Sequence, residues 1–250
     1  MPLFEDHFIS AHRGASGAFP ENTLLAFNEA ARAGVRSIET DLSLLADDSF
    51  AVFHDATLGR TVTGDAPIGS FDRASLANLD AGVWRNAAFA GAPVPALADL
   101  LSWQKETDIG LNLEIKCHDQ DYRRHAAALT CALAEVDPEM TLISSFDARC
   151  LAAIMLELPE FARALIADKI PNDWRNIADQ LQLDGFHLNH ENLTVDQVGA
   201  IHEGGLAVRC YTVNDAADVE KLRGYGVDLV MTDWPGKFIK FDNRFGQAGL

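Results

Sequence analysis

Three carboxylates in two strand-like runs are the first residues in this chain that could do chemistry. Glu39 and Asp41 stand two residues apart in the run VRSIETDLS, and Glu114 stands in the run GLNLEIK. Side chains alternate between the two faces of a β-strand, so residues two apart point the same way. Converging carboxylates repel one another unless a positive charge lies among them. Hard oxygen ligands suit Mg²⁺ or Ca²⁺, with Mn²⁺ also compatible, so we predict that these three residues bind a divalent cation.

Two histidines form the second group. His12 ends the run HFISAH, and His54 ends the run SFAVFH, which could return to the same place as a hairpin after the second strand. Hydrolysis of a phosphate diester needs one group that takes a proton and another that gives one, and imidazoles near neutral pKa suit both tasks. We predict that His12 and His54 are this pair. We interpret the remaining histidines as core or surface residues: His7, His118, His125, His187, His190 and His202.

Two cations accompany these groups. Arg13 follows His12, and Lys116 lies two residues after Glu114. An arginine fork and a lysine point charge both suit a phosphate, although Lys116 could instead neutralise Glu114. Three aromatic residues near predicted strand ends either line a substrate pocket or pack in the core: Phe146, Tyr211 and Trp234.

The elements that position these residues alternate between short β-rich runs and helical patterns, which is typical of βαβ units around a parallel sheet. Eight strands are predicted, at 7–12, 35–43, 110–116, 141–146, 162–167, 184–189, 206–213 and 227–232. Eight strands close a barrel, so we predict the α/β class and a (β/α)8 TIM barrel. The polar residues then meet at the carboxyl ends of the strands, where such barrels carry active sites.

The segment 56–95 departs from this alternation, because it is rich in Gly, Asp, Ala and Pro and only weakly periodic. We predict an insertion between the second and third barrel strands that acts as a lid. The rest of the chain shows no internal boundary, so residues 1–250 are expected to form a single domain.

Composition excludes several partners. The chain has 250 residues with a net charge of −17, and a protein this acidic repels nucleic acid and anionic membranes. The beginning of the sequence has no basic leader and the chain has no long apolar run, so we expect a cytoplasmic protein without a stable membrane anchor. No oligomeric state is predicted. The cysteines form no CxxC pair and are expected to be reduced structural thiols: Cys117, Cys131, Cys150 and Cys210.

An ordered series of motifs resembles the glycerophosphodiester phosphodiesterase family. The motifs are His12-Arg13-Gly14, Pro20-Glu21-Asn22-Thr23, Glu39-Thr40-Asp41, Phe53-His54-Asp55 with Arg60-Thr61, and Glu114-Ile115-Lys116. Later segments that are similar to the family are Ser144-Ser145-Phe146, Tyr211-Thr212-Val213-Asn214, Gly226-Val227-Asp228 and Thr232-Asp233. The resemblance therefore covers nearly the whole chain, although Tyr211 stands where the family usually has Trp.

This resemblance implies a (β/α)8 barrel that hydrolyses glycerol-3-phosphodiesters, such as glycerophosphocholine and other deacylated phospholipids, to glycerol 3-phosphate and an alcohol. It implies His12 and His54 as the acid–base pair and Arg13 and Lys116 as phosphate contacts. It also implies metal binding by Glu39, Asp41 and Glu114, and an insertion after the second strand. The activity would belong to glycerol and lipid metabolism.

Two other functions are compatible with part of the pattern. Barrels with strand-end carboxylates and a lysine also perform metal-dependent lyase or enolisation chemistry, which does not need two imidazoles. A module that binds metal and phosphate without turnover is the other alternative. Glu21 has two interpretations as well, as a further carboxylate at the mouth or as a capping charge for the helix that follows.

Overall fold

The computed structural model describes residues 7–242, and strands alternate with helices through most of this range. The strands are β1 Ile9–His12, β2 Ser37–Leu44, β3 Phe50–Val52, β4 Gly110–Lys116, β5 Thr141–Ser145, β6 Ala162–Ala167, β7 Gly185–Asn189, β8 Ala207–Tyr211 and β9 Leu229–Thr232. The helices are α1 Leu24–Ala33, α2 Arg73–Leu76, α3 Leu97–Thr107, α4 Tyr122–Leu133, α5 Ala148–Glu157, α6 Trp174–Leu181, α7 Val195–Glu203, α8 Ala216–Tyr225 and α9 Pro235–Phe238. Short 3₁₀ turns lie at Ile68–Ser70, Ala87–Phe89, Pro138–Met140, His190–Asn192 and Ile239–Asp242.

Eight of the strands form a closed parallel barrel. The hydrogen-bonded order is β1, β9, β8, β7, β6, β5, β4, β2, and β2 pairs with β1 to close the ring. The predicted (β/α)8 TIM barrel is therefore confirmed. All eight predicted strands are present, with ends that move by no more than about two residues, which is the usual uncertainty of element boundaries.

The ninth strand explains how His54 reaches the barrel mouth. β1 pairs only with the first half of β2, where His12 lies beside Glu39. Beyond the end of β1, the antiparallel strand β3 takes over the same edge of β2, with Leu42 opposite Val52. The predicted hairpin is thus present, and it returns the chain toward the carboxyl ends of the barrel strands just before His54.

The outer helices present apolar faces to the barrel, and several of them begin at a side-chain cap or end at a left-handed residue. In α1, the Thr23 hydroxyl accepts a hydrogen bond from the backbone N–H of Ala26, and Gly34 ends the helix with a φ of 92°. The buried face of α1 includes Phe27, which packs against Trp103 of α3 with ring centroids 5.7 Å apart. No helix of the described range is long and apolar enough to cross a membrane.

The insertion between β3 and α3, residues 56–95, has a small apolar core of its own. This core includes Leu58, Ile68 and Leu76 and is completed by residues flanking the insertion. The insertion also packs on the loop that follows β1, because the Arg85 guanidinium donates to the Gly17 carbonyl and the Phe89 ring lies 5.3 Å from the Phe19 ring. It is therefore attached beside the barrel mouth.

Candidate active site

A cavity of about 270 Å³ opens at the carboxyl ends of the barrel strands. Most of the predicted site residues line it: His12, Arg13, Glu39, His54, Glu114, Lys116, Phe146 and Tyr211. A larger cavity of about 550 Å³ lies between the insertion and α1, but its walls are mostly apolar and carry none of these groups. The side chains that can do chemistry are therefore concentrated at the barrel mouth, as predicted.

The three predicted cation ligands converge at this mouth. One carboxylate oxygen of each of Glu39, Asp41 and Glu114 lies within 4.8 Å of the other two. The strand register explains this arrangement, since Asp41 of β2 pairs directly with Glu114 of β4. All three side chains are buried, and Asp41 is completely inaccessible.

Burial and mutual repulsion shift the pKa values of these carboxyls. Burial, followed by the charges of Asp41 and Glu114, raises the pKa of Glu39 well above its usual range. Burial and then Asp41 raise the pKa of Glu114 to about 7, although Lys116 opposes the shift. Burial would also raise the pKa of Asp41, but Arg13 and Lys116 outweigh it and keep that pKa low.

Two cations neutralise this cluster only in part. Lys116 Nζ lies 3.1 Å from Asp41 Oδ1 and forms an ion pair with Glu114, while Arg13 Nε lies 3.0 Å from Asp41 Oδ2. The Asp41 Oδ1 atom is buried and has no aligned hydrogen bond. Three carboxyl groups face only two positively charged side chains, and hard oxygen donors that converge in this way fit a divalent cation.

His12 is held by the barrel wall. Its Nδ1 lies 2.7 Å from Asp233 Oδ1, which leaves Nε2 on the other side of the ring, 3.8 Å from Glu39 Oε2. Asp233 also accepts hydrogen bonds from the Ser16 hydroxyl at 2.9 Å and from the Asn214 amide at 2.6 Å. Burial alone would raise the pKa of Asp233. The hydrogen bonds and the charge of His12 outweigh burial and lower that pKa to about 2.

His54 is held by an ionic network instead. Its Nδ1 lies 2.7 Å from Asp55 Oδ1, and the Arg60 guanidinium donates to Asp55 and also to Glu21 at 2.7 Å each. Glu21 accepts a further hydrogen bond from Arg13 at 2.8 Å. Burial, together with the positive charges of Arg13 and Lys116, lowers the pKa of His54 although Asp41 opposes the shift. Glu21 therefore joins two arginines at the mouth and is not one of the three clustered carboxylates.

The turn after β1 places the Arg13 side chain over the carboxylates. Arg13 has a φ of 56° and Gly14 a φ of 82°, so the chain reverses through two consecutive left-handed residues. A Cβ on Gly14 would lie 2.7 Å from the Ala26 backbone, which leaves room only for glycine. Gly14 of the His-Arg-Gly motif is thus required by the turn, and the two residues before it carry the functional groups.

The three predicted aromatic residues separate into two groups. Phe146 and Tyr211 line the cavity, with ring centroids 6.0 Å apart, and Phe146 is 54% exposed. Burial raises the pKa of Tyr211 to about 12, so its hydroxyl stays protonated. Trp234 lies outside the cavity lining, packed against Gly17 and covered by Lys237 at 3.7 Å from its ring. Its predicted contact with substrate stays a prediction.

Comparison with known proteins agrees with this geometry. The family model described as the glycerophosphoryl diester phosphodiesterase family matches residues 12–237. The chain belongs to this family. It is 32% identical to the uncharacterized protein YqiK of Bacillus subtilis, over 92% of this chain and 96% of that protein. It is 29% identical to a glycerophosphodiester phosphodiesterase of Caldanaerobacter subterraneus, over 95% of this chain and 98% of that enzyme.

Solved structures of the same family share the fold. A phosphodiesterase of Oleispira antarctica, solved in complex with the product sn-glycerol-3-phosphate, superposes with a TM-score of 0.88 and is 33% identical. The match covers 92% of this chain and 94% of that one. This protein is accordingly a hydrolase of the glycerophosphoryl diester phosphodiesterase family.

Several residues of this family member contribute to the site although they are not among the catalytic, phosphate-binding or metal-binding residues predicted from sequence. Asn22, with a φ of 57°, donates its amide to Asp41 Oδ2 and accepts from the Thr40 hydroxyl, at 2.8 Å each. Asp233 orients His12. His187, interpreted from sequence as a core or surface residue, is indeed 1% exposed but also lines the cavity. Asn22 and Asp233 stand in motifs already singled out, whereas nothing in the sequence distinguishes His187.

Proposed function

We propose that this protein hydrolyses glycerol-3-phosphodiesters to glycerol 3-phosphate and an alcohol, with a divalent cation and the pair His12 and His54. The observation that carries the proposal is the constellation at the barrel mouth. Three buried carboxylates lie within 4.8 Å of one another at a cavity that two of them line. The same cavity is lined by two histidines whose Nδ1 atoms contact aspartates and by the positively charged Arg13 and Lys116. Family membership and the product bound to the Oleispira antarctica enzyme support the substrate class.

Glu39, Asp41 and Glu114 would hold the cation, because they offer hard oxygen donors with an uncompensated negative charge. Mg²⁺ and Ca²⁺ suit this donor set, with Mn²⁺ as a further candidate. A cation bound there supplies positive charge to phosphate oxygens as negative charge develops on them. Lys116 and Arg13 add two more positive charges from the protein, Arg13 through its planar fork.

The two histidines would move the protons. Each ring uses Nδ1 to bind an aspartate, Asp233 for His12 and Asp55 for His54, so Nε2 is the atom that remains for substrate. One imidazole takes a proton from the attacking oxygen and the other gives one to the leaving alkoxide. The attacking oxygen belongs either to water or to the neighbouring glycerol hydroxyl. Transient cyclic glycerophosphate supports the internal hydroxyl, and single-step incorporation of solvent oxygen supports water.

The insertion 56–95 would act as a lid over one side of the cavity within a single catalytic domain. Arg60 of the insertion binds both Asp55 and Glu21, which connects the insertion to the His54 ring. Phe89 and Arg85 attach it to the loop after β1. Movement of the lid would therefore change the position of His54 more than that of His12.

The test is release of glycerol 3-phosphate from glycerophosphocholine by the whole chain, with Mg²⁺, Ca²⁺ or Mn²⁺ and after removal of metal by a chelator. We expect turnover that requires a cation and is abolished in Glu39→Gln, because the remaining oxygens no longer balance the cation charge. Glu157→Gln, which changes an exposed carboxylate at the end of α5, is the matched control and keeps wild-type activity.

Other outcomes separate the remaining functions. Absence of turnover on several glycerophosphodiesters with every cation contradicts the proposed substrate. A cation-dependent rise in thermal stability without product then indicates a binding module. Metal-dependent proton abstraction from a carbonyl substrate, unaffected by loss of either His12 or His54, indicates lyase or enolisation chemistry.

A further inference from the structure

Two cysteines that are far apart in sequence meet just behind the barrel mouth. Cys117 immediately follows β4, Cys150 lies in the first turn of α5, and the two are 33 residues apart. Their Sγ atoms are 2.6 Å apart. Both are free thiols. The two sulfurs are therefore close enough to form a disulfide bond, whose length is about 2.05 Å.

The backbone around the two thiols is already fixed in place. The Ser145 hydroxyl donates to the Ile115 carbonyl at 2.9 Å, which joins the ends of β4 and β5. The Tyr122 hydroxyl donates to Asp147 Oδ2 at 2.8 Å, which joins the start of α4 to the turn before α5. Because these bonds hold both loops, bonding of the sulfurs needs little movement of the main chain.

We propose that Cys117 and Cys150 form a reversible disulfide by exchange with a small-molecule disulfide such as oxidised glutathione, and that this bond fixes the end of β4 against α5. This redox modification does not depend on which substrate the protein hydrolyses. Lys116 directly precedes Cys117, so the bond anchors the strand that carries Lys116 and Glu114 to the cavity.

The exchange proceeds in two balanced steps. Cys117, which is partly exposed, loses its proton and attacks one sulfur of the oxidant, which releases one glutathione thiolate and leaves a mixed disulfide. Cys150, which is fully buried, then loses its proton, attacks the Cys117 sulfur and releases the second glutathione. Two protein thiols are oxidised, one glutathione disulfide is reduced, and the two glutathione molecules carry away both protons.

The two exchange steps differ in rate, because the first depends on the reactivity of Cys117 and the second on the closeness of the two sulfurs. Contact with Cys150 and burial raise the pKa of the Cys117 thiol, which slows the first step because the thiolate is the nucleophile. The second step is intramolecular between adjacent sulfurs and is therefore fast. The mixed disulfide on Cys117 consequently does not accumulate in the wild type. Cys131, which is exposed on α4, has no such partner among the described cysteines and retains its glutathione adduct.

The test incubates the reduced whole chain with oxidised glutathione, alkylates the remaining thiols and maps the products by mass spectrometry. We expect the wild type to lose two hydrogen atoms through a bond between the peptides of Cys117 and Cys150, and to regain both thiols on reduction. In Cys150→Ser, Cys117 carries a persistent glutathione adduct. In Cys131→Ser, the internal bond forms as in the wild type.

A second readout is the thermal unfolding midpoint. The oxidised wild type should unfold several degrees above the reduced form, and neither Cys117→Ser nor Cys150→Ser should show this redox-dependent difference. The proposal is overturned if Cys117 and Cys150 both remain available to alkylation after Cys131 has reacted completely. It is equally overturned if oxidation through this bond lowers the unfolding midpoint, because the bond would then strain the fold.

Discussion

His12 and His54 each bind an aspartate through Nδ1 at 2.7 Å, but the surroundings of the two aspartates differ. Asp233, the partner of His12, receives neutral donors from a hydroxyl and an amide on neighbouring barrel loops. Asp55, the partner of His54, is paired with the charged Arg60, whose side chain is 45% exposed. One ring is therefore oriented by the barrel wall and the other by an ionic network at the edge of the insertion.

The difference indicates that the orientations of the His12 and His54 rings are stabilised by different kinds of interaction. Hydrogen bonds among partly buried neutral donors are little affected by salt, whereas exposed ion pairs are screened by it and contribute little stability. A His12 ring held by the barrel should keep its orientation whatever the insertion does. The His54 ring depends on a segment whose core is separate from that of the barrel. Four substitutions test this comparison.

The largest effects are expected from removing the rings themselves. His12→Ala and His54→Ala should each lower kcat for glycerophosphodiester hydrolysis by about 10²- to 10⁴-fold, the usual contribution of a general acid or base. His202→Ala is the matched control, since His202 also binds an aspartate, Asp228 at 2.8 Å, but lies outside the mouth cavity. A loss in only one of the two mouth variants would show that the acid–base work is not shared.

A smaller effect is expected from Asp233→Asn. Both Asp233 oxygens accept hydrogen bonds, and an amide has only one oxygen, so one donor of His12, Ser16 or Asn214 would face an NH₂ group. Loss of a partly buried hydrogen bond to a charged group costs about 1.5–3 kcal/mol, which corresponds to roughly 10- to 100-fold in kcat. The measurement is kcat at low and high salt, and the loss should be nearly the same at both. A loss that disappears at high salt would contradict orientation by neutral donors.

Arg60→Gln should have a weaker effect and a different salt response. The substitution removes the ion pairs to Asp55 and Glu21 but leaves the His54 contact to Asp55. Exposed pairs contribute about 0.2–1 kcal/mol, so we expect roughly a 1.4- to fivefold loss of kcat/KM at low salt. Because salt already screens the pairs in the wild type, the difference should shrink as salt is added. Equal losses at all salt concentrations would place Arg60 in direct contact with substrate instead.

The last effect concerns the free energy of unfolding rather than catalysis, and it depends on the buried His187. Burial and then Arg209 lower the pKa of His187 well below its usual value, so the ring stays neutral in the folded protein. Below an unfolded pKa of about 6.5 the unfolded chain takes up a proton that the folded one does not. Stability is therefore lost as the pH falls through this range, by up to about 1.4 kcal/mol per pH unit for one proton.

The variant His187→Gln removes this proton uptake. Its free energy of unfolding, measured by denaturant titration, should fall less steeply than that of the wild type between pH 6.5 and pH 5. The difference between the two slopes should be on the order of 1 kcal/mol per pH unit. His202→Gln changes an exposed ring and serves as the control. Identical slopes in wild type and His187→Gln would mean that the ring becomes protonated inside the fold.

Much of the fold could be predicted from the sequence because it depends on local patterns. The strand containing Glu39 and Asp41 and the helix Leu24–Ala33 follow from alternation, periodicity and a glycine at the helix end. The hairpin that returns His54 to the mouth was also predictable, since SFAVFH is a short apolar run directly after β2. The roles predicted for the site residues stay predictions until the substitutions are measured.

Other features could not be predicted because they depend on contacts between distant segments. The Asp233 side chain reaches His12 only because β9 lies beside β1 in the closed barrel, and the two residues are 221 positions apart. His187 lines the cavity only because β7 turns that face inward, and an isolated histidine in an apolar run gives no sign of it. The contact between Cys117 and Cys150 follows in the same way from the adjacency of β4 and β5.

The sequence by itself determined the barrel, its insertion and the types of group that gather at one end of the strands. Alternation of side chains along each strand and the parallel direction implied by the repeated strand–helix order suffice for that, since both follow from the order of local patterns along the chain. Only the tertiary structure decided which partner holds each ring and which carboxylate stays out of the cluster. Those choices depend on distances of a few ångströms between segments, and they are set when the barrel closes and brings β1 between β2 and β9.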